Sequence, residues 1–200
     1  MLLPWPVWFI TLNKVNKELK LLSRKTKQDW YDIAYQGLIE SGIEALSAEK
    51  LASKLGVSRG SFYHHFGSCE GFHKELLENW LQRNTLQIDQ LNQGKSDSEK
   101  IQGLKEFAWA LPHKIEVAIR SWALYDDLAK EYQIRVDKKR LDYITSLFEA
   151  KYERARAKKA AEVLFYAFVG IQNRQPMMTE NQINSFSQLI NEVIDGYLNN

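Results

Sequence analysis

LASKLGVSRGSFYHHFGSCEGF, residues 51–72, decides the reading of this chain. A short apolar-periodic run stops at Gly56. A second run follows, crowded with Ser58, Arg59, Gly60, Ser61, Tyr63, His64 and His65. At about 100° per residue Phe62 and Phe66 share one helix face, so that face must turn inward. Gly60, Ser61, Tyr63 and His64 then point largely outward, with Arg59 and His65 on the flanks. Ser58 is expected to cap this helix, with Val57 and Phe62 as a hydrophobic staple, and Gly67 to end it.

Working outward, Ser47 caps the preceding helix, with Leu46 and Leu51 spaced as a staple. Before it, Trp30, Ile33, Ala34, Gly37 and Leu38 fall at i, i+3, i+4, i+7 and i+8, a buried stripe on a helix over Thr26–Ser41. Two short helices joined through a glycine match the helix-turn-helix pattern, whose second helix enters the DNA major groove. The exposed face suits a groove. Gly60 lets the backbone approach, and Arg59 and Ser61 can reach base edges. Tyr63, His64 and His65 can donate to phosphates, which the positive helix start near Ser58 also favours.

Strand signals are nearly absent elsewhere, and the chain is read as all-α, with about nine helices. Ser68 opens a fourth, long helix to about Asn92, and residues 93–98 (QGKSDS) form a loop. Five further helices are expected over Glu99–Leu111, His113–Tyr125, Asp127 to about Lys151, Arg154 to about Asn173, and Glu180–Leu198. Pro112 and Pro176 fall at breaks. The domains are read as an N-terminal extension over 1–23, disordered or docked, a helix-turn-helix domain over 24–75, and a regulatory domain over 76–200.

Length and composition allow a sizeable core: 200 residues, 44% hydrophobic and 26% charged, are ordinary for a globular protein. The net charge of +2 names no partner, but its distribution does. Lys14, Lys17, Lys20, Arg24, Lys25 and Lys27 face the single acid Glu18, a basic arm suited to a polyanion. MLLPWPVWFITL, residues 1–12, is apolar but too short to span a bilayer and carries two prolines. It lacks the charge order and cleavage site of a signal peptide. Either translation starts later or this strip docks on the protein. One cysteine, Cys69, excludes an intrachain disulfide framework and fits a reducing cytoplasm.

GLIESGIEALSAEKLASKLGVSRGSFYHHFGSCEGF, residues 37–72, closely resembles the N-terminal domain of the TetR family of bacterial transcriptional regulators. The matching features are the glycine after the first helix, the LA--LGVS turn, the small residue after Gly60, the F-Y--F pattern and the GS-EG start of the fourth helix. The segment IRSWALYDDLAKEYQIRVDKKRLDYITSLFEAKY, residues 119–152, is more weakly similar to the regulatory domain of some members. The resemblance implies a homodimer binding an approximately palindromic double-stranded operator, with repression relieved by a small hydrophobic or amphipathic effector. It carries DNA contact over to Ser58, Arg59, Gly60, Ser61, Tyr63, His64 and His65, to Ser47 as a phosphate-contacting cap, and to Lys25 and Lys27. One departure matters: at Cys69 the family commonly has lysine, so one phosphate contact is in doubt. A thiol at a helix start also opens redox sensing, beside the simpler reading of a tolerant position.

The same resemblance places effector pocket and dimer surface beyond about Leu76. Most aromatics there are core, but a pocket between helices is lined by some of them. His113, with Trp109 one turn earlier, is the preferred polar handle, joined by Trp122, Tyr125, Phe165 and Phe168. The last two helices carry apolar sets that include Ala161, Leu164, Phe168 and Ile171, then Phe186, Ile190, Val193 and Tyr197. These could pack within one subunit or form a two-fold four-helix bundle, and the resemblance favours the bundle.

Two other classes compete. A DNA-binding regulator without a small ligand fits the same residues. A metal site is conceivable at His65, Cys69 and His73, spaced by four, but Gly67 and Ser68 argue against one continuous helix. No phosphate-cradling glycine loop and no nucleophile–base pair is recognisable, so no catalytic residue, cofactor or membrane role is assigned.

Overall fold

The computed structural model describes residues 25–92, 96, 99–100, 104, 113–174, 176 and 178–199. Residues 1–24, Trp109 and most of the expected Glu99–Leu111 helix lie outside them, and with residues 1–24 go the apolar strip and the basic arm up to Arg24. The described residues are helical throughout: α1 Lys27–Ser41, a 3-10 turn Gly42–Leu46, α2 Ala48–Leu55, α3 Arg59–Phe66, α4 Cys69–Asn92, α5 His113–Trp122, α6 Asp127–Glu149, α7 Arg154–Asn173 and α8 Glu180–Asn199.

The caps explain most of the boundaries. Thr26 and Asp29 form a reciprocal capping box at the start of α1. The Ser47 hydroxyl accepts from the Lys50 amide at 3.3 Å, as its place in the sequence requires. Gly56 sits in the left-handed region at φ 68°, where a side chain would be strained. Around it Val57 N donates to the Ala52 carbonyl and Gly56 N to the Ser53 carbonyl, the Schellman closure that turns the chain from α2 into α3. Gly67, at φ 72°, ends α3 and separates it from α4.

Two local expectations are corrected. Ser58 occupies the N-cap position of α3 with extended backbone, yet its hydroxyl makes no capping hydrogen bond. The Ser61 amide is met instead by the Ser58 carbonyl at 3.0 Å. Helix α5 ends at Trp122 rather than Tyr125, because the Asp126 carboxylate caps the Ala129 amide at 2.8 Å and the chain must turn before it. The Gly42–Leu46 turn belongs to no expected helix. It brings Leu46, 1% exposed, under α1.

One continuous core runs from α1 through α2–α4 into α5 and the start of α6. Trp30 lies at its centre, with ring centroids 5.5 Å from Phe62 and 6.0 Å from Phe66, and Phe72 is 4.8 Å from Phe66. Aromatic rings from α1, α3 and α4 thus fix α3 by its inner face. Smaller clusters tie α6 to α7 through Ile144, Ala161 and Phe165, and α7 to α8 through Ala160, Ile194 and Leu198.

Candidate nucleic-acid interface and the cavity behind it

With Phe62 and Phe66 anchored inward, α3 turns Arg59, Gly60, Tyr63 and His64 to solvent, and Ser61 and His65 sit half-buried beside them. Tyr63 is 41% exposed although its ring touches that of Phe62 edge-on. Gly60 has helical backbone, and a Cβ built on it would meet only the Ser58 hydroxyl, at 3.6 Å. Nothing inside the molecule therefore demands glycine at this position. Lys25 is half-buried, whereas the Lys27 ammonium is paired with Glu75 at 2.5 Å and lies over the Phe66 ring.

Helix α3 is coupled to the long α4 through α1. Tyr31 donates to Glu75 at 2.9 Å, and Tyr35 donates to the Leu76 carbonyl at 3.0 Å and to Asn79. Burial pushes the Tyr35 hydroxyl above its ordinary pKa, and Tyr31 is raised by burial and by Glu75, so both stay protonated donors. His73 of α4 packs edge-on to Trp122 of α5, with centroids 5.3 Å apart. Burial holds its pKa below the usual imidazole value, against the opposing effects of the Leu46 carbonyl and Asp126.

Between α1 with the 3-10 turn and α5 lies a cavity of about 640 Å³ that opens to solvent. Leu38, Ile39, Gly42 and Ile43 form one wall, from α1 and the 3-10 turn. His113, Lys114, Val117, Ala118, Ser121, Trp122, Tyr125 and Gln172 form the other, chiefly from α5. Three residues singled out for a ligand, His113, Trp122 and Tyr125, meet here. Phe168 stands behind His113, with centroids 6.2 Å apart, and Phe165 is buried between α6 and α7, away from the cavity. The Gln172 amide nitrogen lies 3.1 Å from His113 Nδ1, and burial holds the His113 pKa below the usual imidazole value.

The sequence reading missed Ile39, Ile43 and Gln172, which are remote in sequence from α5. It also missed a buried ion pair between Glu116 and Arg140, 2.7 Å apart and 2% and 4% exposed. Trp80 donates to the Glu116 carboxylate at 2.9 Å, and Arg140 donates to Asn84, which ties α4, α5 and α6 together. A signal was present. Glu116, Ile119 and Trp122 recur at spacing three, and Arg140 falls on the stripe of Tyr132, Val136 and Tyr143.

Helices α7 and α8 divide their apolar residues between two faces. Ala161 is fully buried within the subunit, while Leu164, Phe168, Ile171, Phe186 and Ile190 are half-buried. Val193 and Tyr197 are exposed, and the same outer faces carry Val163, Tyr166 and Leu189, also exposed. Gly170 and Gly196 lie on these faces too, and a Cβ at either would meet nothing within 4 Å. Among the described residues no group of three His, Cys, Asp or Glu side chains could hold a metal ion, and His65, Cys69 and His73 are split between α3 and α4 by Gly67.

Residues 32–76 match the family of bacterial regulatory proteins described as the tetR family. No curated protein matches the chain in sequence. Solved structures match its fold. GusR of Salmonella enterica is 16% identical with a TM-score of 0.67, covering 87% of this chain and 95% of its own. A TetR transcription regulator from Haloarcula marismortui is 13% identical with a TM-score of 0.63, covering 86% and 96%. A transcriptional regulator from Saccharomonospora viridis in complex with choline is 14% identical with a TM-score of 0.59, covering 84% and 95%.

Proposed function

We propose that this chain, whose residues 32–76 match the family of bacterial regulatory proteins described as the tetR family, is a ligand-responsive repressor binding a palindromic operator as a homodimer. The observation that carries the proposal is the outer face of α3, where a glycine with no internal reason stands between Arg59 and the exposed Tyr63 and His64. An α-helix enters the major groove, and a missing side chain lets it sit deeper. Arg59 and Ser61 read base edges. Tyr63, His64, His65, Ser47 and Lys25 contact phosphates. Ser58 joins them with its uncommitted hydroxyl, beside helix-start amides that attract an anion. Lys27 reaches phosphate only by leaving Glu75, and otherwise holds α1 against α4.

The dimer forms through the outer faces of α7 and α8. Val163, Tyr166 and Gly170 share one face, and Leu189, Val193, Gly196 and Tyr197 share the other. Exposed apolar rows interrupted by helical glycines suit close packing of a second copy. The effector enters the cavity at His113, Trp122 and Tyr125. One relative by fold is in complex with choline, which supports a small-molecule role for this architecture. Binding to DNA places the protein in the cytoplasm, and among the described residues no helix is long and apolar enough to cross a membrane.

Selection of duplexes from a random pool tests the reading. A palindromic winner, bound by two copies and losing affinity steeply with salt, is expected. Arg59→Ala should weaken that complex by about 1–3 kcal/mol, roughly 5- to 150-fold. A pool that never enriches at any salt concentration refutes the proposal.

A further inference from the structure

His73 stands where α4 meets both the inner face of α3 and the end of α5. Its chain neighbour Phe72, fully buried, packs on α3 with ring centroids 5.1 Å from Phe62 and 4.8 Å from Phe66. The His73 ring packs edge-on to Trp122, the last residue of α5, with centroids 5.3 Å apart.

Two polar atoms of these touching rings have no partner in the fold: His73 Nε2 and the Trp122 indole nitrogen, both buried. The Leu46 carbonyl accepts from the imidazole, and because Nε2 has no partner the donor is Nδ1. The neutral ring thus carries its proton on Nδ1 and offers Nε2 as an acceptor, while an indole nitrogen can only donate. One orphaned donor and one orphaned acceptor are complementary. A proton on Nε2 ends that, leaving two buried donors, each costly without an acceptor.

Few charges compete for that proton. Asp126 attracts it, but this carboxylate caps the Ala129 amide at 2.8 Å. On α5 Glu116 is paired with Arg140 and Arg120 with Asp137, and on α4 Glu75 is paired with Lys27 while Glu78 accepts from Tyr132. Glu44 of the 3-10 turn, Arg59 and His64 of α3, Glu70 and Lys74 of α4, Lys114 of α5, and Asp127 and Lys130 of α6 are exposed. His65 of α3 packs toward Trp30 and Phe66. Burial outweighs Asp126 and the Leu46 carbonyl, so the fold favours the neutral ring.

We infer that neutral His73 is a clasp between α5 and the support of α3, closed in the DNA-binding form by Trp122 donating to Nε2, and that a proton on His73 opens it and weakens operator binding. Opening reaches α3 through Phe72, the adjacent residue. Proton and operator then oppose each other reciprocally. The sign is opposite to that of His64 and His65, whose protonation adds positive charge toward phosphates. The consequence for DNA rests on the reading of the chain as a DNA-binding regulator.

Two measurements on the full chain test it. Without DNA, nuclear magnetic resonance follows the four histidine rings and the Trp122 indole N–H from about pH 7.5 to 5.0. The signals lost in His73→Gln and in Trp122→Phe assign the two groups. His73 should titrate below the usual imidazole value, and the Trp122 N–H should shift with the same midpoint. With DNA, operator affinity is compared between the unaltered chain and His73→Gln over the same interval, a ratio that removes what His64 and His65 contribute to both. The unaltered chain should lose about 5- to 10-fold relative to His73→Gln as the pH falls, the scale of a typical coupling between two sites. His73→Phe, which has neither nitrogen, should behave as His73→Gln does, and thermal unfolding at about pH 7.5 checks the fold of each variant.

A Trp122 N–H that stays still while His73 titrates overturns the clasp, and so does a His73 that titrates like an exposed imidazole. An affinity ratio unchanged by pH, on a chain that binds its operator, overturns the proposal as well. Coupled titration of His73 and Trp122 on a chain that selects no DNA upholds the clasp and overturns the regulator reading instead.

Discussion

Gly60 occupies the second position of α3, with helical backbone and open space where a side chain would go. Alanine there removes the backbone-entropy cost of a helical glycine, and Gly60→Ala should stabilise the fold by about 0.5–1 kcal/mol. The same methyl group stands between α3 and the groove, so operator affinity should fall, by about tenfold or more if the backbone approaches the bases. Thermal unfolding and operator titration of one variant read both effects. Unchanged DNA affinity in the stabilised protein would show that the glycine serves no close approach. Phe62 and Phe66, two and six positions on, were identifiable as core from spacing alone, because a helix returns to the same face every three to four residues.

Packing between elements adds groups that no single helix displays. His73 and His113 are both held below their ordinary pKa, chiefly by burial, so the unfolded chain takes up protons at a higher pH than the folded one. Stability should therefore be full above about pH 6.5 and decline as pH falls from there toward the depressed folded values. His73→Gln should flatten that decline, read as unfolding midpoints between pH 7.5 and 5.5, and an unaltered slope would clear His73 of it. The Glu116–Arg140 pair makes a second prediction. Removing one partner strands a buried charge, so Glu116→Ala should cost about 3–5 kcal/mol, whereas Glu116→Leu with Arg140→Met should lose far less. Urea denaturation of the single and double variants compares them. Equal losses would mean that the pair itself, rather than the stranded charge, is what matters.

For the assembled molecule the outer faces of α7 and α8 carry the expectation. Val193, 55% exposed, lies in line with Leu189 and Tyr197 and touches no subunit core. Val193→Arg should leave the chain folded and reduce it to a single-copy species in light scattering at micromolar concentration. Operator affinity should fall with it, because a lone reading helix contacts one half-site. A variant that stays dimeric would place the interface elsewhere.

Local chemistry made the helices legible from sequence: Ser47 and Ser68 before periodic runs, and Gly42, Gly56 and Gly67 after them. The reading helix was legible for the same reason, since a groove-facing surface is one face of one short helix. Long-range contact decided the rest. Ile43, Trp122 and Gln172 come from three segments and share a cavity only because α1 packs on α5 and α5 on α7. Glu116 and Arg140 look like ordinary surface charges on two helices until α4 closes over them with Trp80 and Asn84. On α7, Ala161 and Phe165 turn inward while Val163 and Tyr166 stay exposed, a division set by where α6 and α8 lie. Hydrophobic period tells which residues share a helix face. Which face is covered, and by what, depends on neighbours that the chain brings back from far along its length.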